Sequence, residues 1–221
     1  MRIEQPAGSR GSLKWIQRSV AERWSSLEAP ILAKTGASTL RWHSPLAIDA
    51  FAKYRDEAFL GLIGSLNLAD ALHGFWPGRG PQWDAVGQTD RDTIVMVEAK
   101  AQVAELLSPP TAAGDDSRRR IEIVLDDVAE RMAPGRRRAR WTEHFYQLAI
   151  RLAHLDFLRR NDVDAWLMLV DYVGDEDVGG PLSAEAWDAA YAVAFHVMGL
   201  PKRHALSPYI LHVRPDVREF R

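Results

Sequence analysis

Thr93-Ile94-Val95-Met96-Val97-Glu98-Ala99-Lys100 decides the reading of this chain, together with Pro81-Gln82-Trp83-Asp84-Ala85-Val86 just before it. Both are short apolar runs with β-branched residues, and the polar Gln88-Thr89-Asp90-Arg91-Asp92 lies between them, so the pattern predicts strand, turn, strand. Folded about Arg91, the hairpin sets Asp84 opposite Glu98. Directly opposed side chains have Cβ atoms about 4.5–5.5 Å apart, where like charges repel. A divalent cation turns that repulsion into a site, because Mg2+ takes carboxylate oxygens at about 2.0–2.1 Å. Side chains alternate along a strand, so Glu98 and Lys100 share a face. The second run is apolar on both faces, as in a strand covered on both sides at the centre of a layered α/β domain.

An Asp at hairpin distance from Glu-x-Lys resembles the PD-(D/E)XK nuclease superfamily. The context Arg79-Gly80-Pro81-Gln82-Trp83-Asp84-Ala85 and Val97-Glu98-Ala99-Lys100-Ala101 is similar to a compact bacterial branch of it, over about residues 44–181. The resemblance implies an α/β fold with a restriction-endonuclease-like αβββαβ core, a mixed central sheet flanked by helices, here with an extra N-terminal helix. It implies a Mg2+-dependent nuclease, with Mn2+ as substitute, that hydrolyses phosphodiester bonds of nucleic acid, DNA before RNA. Asp84 and Glu98 would hold the metal, helped by the Ala99 carbonyl, and Lys100 would orient or deprotonate the attacking water. An acid on the first core helix often points at the metal in this superfamily, which nominates Glu57. The branch also carries a Gln four residues before a Tyr on a later helix. Gln147 matches the Gln, while Arg151 stands in place of the Tyr and would contact phosphate.

Composition narrows the class. A chain of 221 residues with 47% hydrophobic content fills a core, and a net charge of −2 gives no overall pull toward nucleic acid. No cysteine is present, which excludes disulfides and thiolate zinc sites. No apolar run approaches a membrane span, and the amino terminus lacks the apolar segment of a signal peptide, so a cytoplasmic protein with no membrane partner is expected. Of 28 basic residues only Lys14, Lys34, Lys53, Lys100 and Lys202 are lysines. An ammonium shifts its pKa on burial and a guanidinium does not, which favours a chemical role for Lys100.

The rest of the chain divides into residues 1–43, a tail and an amphipathic helix over Ser12–Lys34, and a nuclease-like domain over residues 44–221. The N-terminal helix, with Leu13, Ile16, Val20, Trp24, Leu27 and Ile31 at helical spacing, would cap the core or mediate a homodimer. Ser44-Pro45 reads as a helix start, and the helix runs to about Leu66. Residues 67–80 read as a turn. Arginine clusters at Arg118–Arg120 and Arg136–Arg138 bracket a helix and are either solvated surface or phosphate contacts, with Arg118 and Arg137 as candidates. Trp141–Arg160 reads as a helix on which His144, Gln147, Arg151 and His154 stack in a polar stripe lining a wet cleft. Val163–Val173 is a buried strand, Gly174–Asp177 a solvated turn, and Tyr209–Val213 an edge strand. Two readings of function stay open: the metal-dependent nuclease, and a non-catalytic nucleic-acid or protein binding module on the same fold.

Overall fold

Every residue from Ile94 to Lys100 is buried, and the strand they form is the middle of a five-stranded mixed sheet. A computed structural model describes residues 1–220. In chain order the strands are β1 (Arg2–Ile3), β2 (Leu40–Ser44), β3 (Lys53–Tyr54), β4 (Ala85–Thr89), β5 (Ile94–Lys100), β6 (Ala165–Asp171) and β7 (Ile210–Val213). The helices are α1 (Gly11–Ala21), α2 (Ser25–Thr35), α3 (Asp56–Leu62), α4 (Ala69–Phe75), α5 (Asp115–Met132), α6 (Tyr146–Arg160) and α7 (Ala184–Val197). The main sheet has the order β2-β4-β5-β6-β7, and β1 pairs separately with β3. β2, β4 and β5 are antiparallel, whereas β6 and β7 run parallel to β5. Parallel neighbours need long crossovers, which α5 and α6 supply before β6 and α7 before β7.

The pleat of β5 divides the interior into two cores. Ile94 and Met96 face a core shared with α3, α4, α5, α6 and α7. Val95, Val97 and Ala99 face a second one, built with Trp15, Ile16, Val20, Trp24, Leu27 and Ile31 of the N-terminal segment. The two-sided apolar character of β5 therefore has its expected cause.

The N-terminal segment caps the core, but as two helices instead of one. Arg23, between α1 and α2, has φ 54°, and this left-handed residue breaks the continuous period. Trp15 and Trp24 are buried, packed on Tyr172 with ring centroids 6.5 Å away in each case. Trp15 Nε1 donates to Asp175 Oδ2 at 2.7 Å. Asp175 is fully buried, so Gly174–Asp177 is not the solvated turn its composition suggested; only Glu176 and Asp177 face water. Trp15→Phe leaves a buried carboxylate without this donor and should cost about 1–3 kcal/mol in urea unfolding. An unchanged midpoint would show that this bond does not anchor α1.

The helix expected over residues 44–66 is absent. Ser44 is the last residue of β2, and Pro45, which has no N–H to give a ladder, ends the strand instead of opening a helix. The chain then passes through β3 and reaches α3 only at Asp56. The division between residues 43 and 44 thus falls inside β2, which bonds to β4. Part of the expected turn over residues 67–80 is helical, as α4. Among the described residues, no helix is long and apolar enough to cross a membrane.

Candidate active site

The β4–β5 hairpin has the anticipated register. Ala85 pairs with Val97 and Gln88 with Ile94, which brings Asp84, one residue ahead of β4, level with Glu98. The Asp84 N–H donates to the Val97 carbonyl at 3.0 Å. Its carboxylate caps the open edge of β5, where Oδ2 accepts the Ala99 N–H at 2.8 Å. A strand residue's N–H and C=O leave on the same edge, so the Ala99 carbonyl also faces this opening.

Asp84, Glu98, Ala99 and Lys100 line a cleft of about 720 Å3. Gln147 and Arg151 line the same cleft from α6, as the polar stripe implied. The stripe's ends do not reach it. His144 is exposed and precedes α6, which begins at Tyr146 after Phe145 at φ 56°. His154 is buried against Trp76 and Phe75, with its Nδ1 on the Ile150 carbonyl at 2.8 Å. Burial holds its pKa down to about 4, so it is a neutral core histidine.

Glu98 is held by two cations. Its Oε1 accepts from Lys100 Nζ at 2.9 Å, and its Oε2 from Arg151 Nε at 2.7 Å. Arg151 also donates to the Gln82 carbonyl at 3.0 Å and lies 5.3 Å from the centre of the fully buried Trp83 ring. Its guanidinium is committed to positioning Glu98 and the Gln82 turn, which leaves the expected phosphate contact without support in this arrangement. Burial would raise the Glu98 pKa, but Arg151 and then Lys100 more than offset it and hold the carboxyl near 2. For Lys100, burial acts to lower the pKa, yet Glu98 and then Asp84 move it above its ordinary value. Lys100 is therefore an ammonium at neutral pH.

The second acid has a cation that the sequence did not reveal. Lys53, from β3, donates to Asp84 Oδ1. It was one of only five lysines, the single local hint, but the contact joins residues 31 apart in sequence and nothing local encodes it. Tyr146 and Arg55 also line the cleft and were missed. Tyr146 recurs at helical spacing with Ile150, Ala153 and Phe157, an apolar pattern that gives no sign of a site.

Glu57 does not join the site. It is exposed, with its Oε1 3.1 Å from His73 Nε2, and it lies outside the cleft. Its neighbour Asp56, at φ 53°, turns inward instead and accepts the Gly80 N–H at 2.8 Å. A Cβ on Gly80 would lie 2.9 Å from His154 Nε2 and 3.0 Å from that carboxylate, so a side chain here would have to displace them. Arg118 and Arg137 are exposed and also outside the cleft, although Arg118 bonds the carbonyl of Thr111 on its wall at 3.2 Å.

For a metal, the donor set is Asp84, Glu98 and the Ala99 carbonyl. These are hard oxygen ligands of the kind Mg2+ prefers. All four carboxylate oxygens already accept a donor from this chain: Lys53, the Ala99 N–H, Lys100 and Arg151. Each such oxygen keeps a second lone pair, so the set fits a cation that competes chiefly with Lys53.

No family model, no curated protein and no solved structure matches the chain.

Proposed function

We propose that the cleft hydrolyses phosphodiester bonds of nucleic acid, DNA before RNA, in a divalent-metal-dependent reaction. The observation that carries this reading is the meeting of Asp84, Glu98 and Lys100 in one cleft, with Asp84 and Glu98 level on adjacent antiparallel strands. The sheet gives partial support: β2, β4 and β5 are antiparallel and β6 follows α6 parallel to β5, as the αβββαβ succession of the PD-(D/E)XK resemblance implies. However, β3, α3 and α4 interrupt the strands between β2 and β4, and α5 precedes α6.

Asp84, Glu98 and the Ala99 carbonyl would hold the cation, which stabilises charge on the phosphate and lowers the pKa of bound water. Lys100, as an ammonium, donates toward the attacking water or a phosphate oxygen; its raised pKa favours orientation and charge over proton removal. Arg151 fixes the Glu98 carboxylate through two nitrogens, which keeps the site pre-formed. Gln147, exposed on the wall of the cleft, would orient the substrate. Lys53 screens Asp84 while the site is empty of substrate and becomes a phosphate contact once it yields the carboxylate.

A second reading, a nucleic-acid binding module without cleavage, is favoured by one observation: both acids are already neutralised by Lys53, Lys100 and Arg151. Incubation with single-stranded DNA, duplex DNA and RNA in Mn2+ separates the two. The nuclease reading expects cleavage of at least one of them, lost in Asp84→Ala. Binding without turnover on all three would establish the module.

A further inference from the structure

A second hollow, of about 630 Å3, lies between α7 and β7, at the far edge of the sheet from β2. Its size is that of small-molecule sites. Behind two of its lining residues, Tyr191 and His212, lies Asp171, the last residue of β6 and level with Lys100 of β5. Asp171 is fully buried. Its Oδ1 accepts the Tyr191 hydroxyl at 2.8 Å, but its Oδ2 has no hydrogen-bond partner. His212 Nδ1 lies 3.6 Å from this carboxylate oxygen and is also buried without a partner. Two complementary atoms thus face each other just beyond bonding distance, on an imidazole whose residue lines the hollow. Buried polar atoms without a partner call for an explanation, and a ligand that repositions His212 supplies one.

The walls say what the ligand is. Tyr191 and Phe195 meet the His212 ring edge-on, with centroids 4.6 and 6.3 Å away. His204 lies edge-on to Phe195 at 6.4 Å. Burial holds the His204 pKa down to about 4, and its Nδ1 accepts the Leu206 N–H at 3.3 Å, so the neutral ring keeps Nε2–H as a donor. At the rim, Arg214 is paired with Asp188 at 2.8 Å. Lys202 is exposed and, among the described residues, has neither ion pair nor hydrogen bond. Aromatic walls, one uncommitted ammonium and an imidazole backed by a carboxylate suit a ring that carries a negative group.

We propose that this hollow binds a nucleoside monophosphate, with its base against Phe195 and His204 and its phosphate between Lys202 and His212. With a proton on each ring nitrogen, His212 donates from Nε2 to the phosphate and from Nδ1 to Asp171 Oδ2, which satisfies both orphaned atoms. The site is separate from the Asp84–Glu98 cleft and does not require that cleft to be catalytic.

Calorimetric titration of the full chain with adenosine 5′-monophosphate, adenosine and inorganic phosphate tests this, with the histidine imidazole signals followed by NMR. The monophosphate should bind saturably and shift the His212 resonances, with adenosine and phosphate each weaker by roughly tenfold or more. Lys202→Ala, a change at an exposed residue, and Phe195→Leu should each weaken it by about tenfold, as loss of a charge or of base stacking does. Lys53→Ala, in the other cleft, should leave it unchanged. Absence of saturable binding, equal affinity for adenosine, or binding that responds to Lys53→Ala and not to Lys202→Ala would overturn the assignment; the last result would place the nucleotide in the Asp84–Glu98 cleft.

Discussion

Replacing Lys100 with alanine should lower the proposed phosphodiester cleavage by about 10²–10³-fold, the loss that follows removal of one pre-formed donor to developing charge. Metal binding should survive, because Lys100 donates to Glu98 and is not a ligand. Lys100→Arg separates the two roles that an amine can play. Glu98 and Asp84 hold Lys100 protonated, so under the proposed hydrolysis it would contribute a directed charge, and a guanidinium retains the charge while it cannot give up its proton. Lys100→Arg should therefore keep measurably more activity than Lys100→Ala, short of wild type because the larger fork must fit a buried position beside Arg151. Equal loss in the two variants would show that a proton must leave Lys100 during the reaction.

Glu98→Ala should cost about 3–5 kcal/mol of stability, the penalty for breaking a buried ion pair from one side. The alanine leaves Lys100 and Arg151 buried next to each other, with Asp84, itself paired with Lys53, as the remaining counter-charge. Chemical denaturation reads the loss, and the pH profile identifies its source. The Glu98 carboxyl is held near 2, below its ordinary 4.5, so its stabilising contribution is complete above about 4.5 and disappears as pH falls through about 2. The variant should lack this acid-side slope. Replacing the triad together (Glu98→Leu, Lys100→Met and Arg151→Met) should restore stability or exceed it by about 1–4 kcal/mol, because apolar side chains of similar volume escape the desolvation cost. That variant should be inactive. A stable but inactive triple variant would show that these charges are kept for chemistry, whereas one less stable than Glu98→Ala would show that they hold the fold.

The parts of the site that were legible in the sequence are those carried by local periodicity. The alternation and turn chemistry of residues 81–100 gave the hairpin and its register, hence Asp84 beside Glu98. The three- and four-residue steps of α6 put Gln147 and Arg151 in one cleft. Periodicity failed where one local signal serves two structures. Ser44-Pro45 can cap a helix or end a strand, and the choice depends on the pairing of β2 with β4, some 40 residues away in the chain. The same segment hid Lys53, whose position depends on β3 and its pairing with the amino-terminal β1. Glu57 failed for a related reason: α3 begins at Asp56, so its rotation could not be set from a helix assumed to start at Ser44. Arg151 was placed correctly, but its partner was not. A lone arginine on a polar stripe suits phosphate as well as carboxylate, and only the approach of β5 decides for Glu98.

The most direct measurement is a Mn2+ titration of the wild-type chain and of Asp84→Ala, following the electron paramagnetic resonance signal of the free ion. The wild type should remove Mn2+ from solution at a site that Asp84→Ala abolishes, and Lys53→Ala, which frees Asp84 of its competing ammonium, should bind more tightly than wild type. A wild-type chain that leaves the free Mn2+ signal unchanged, or an Asp84→Ala variant that binds as the wild type does, would contradict a metal site on Asp84 and Glu98 and with it the proposed hydrolysis.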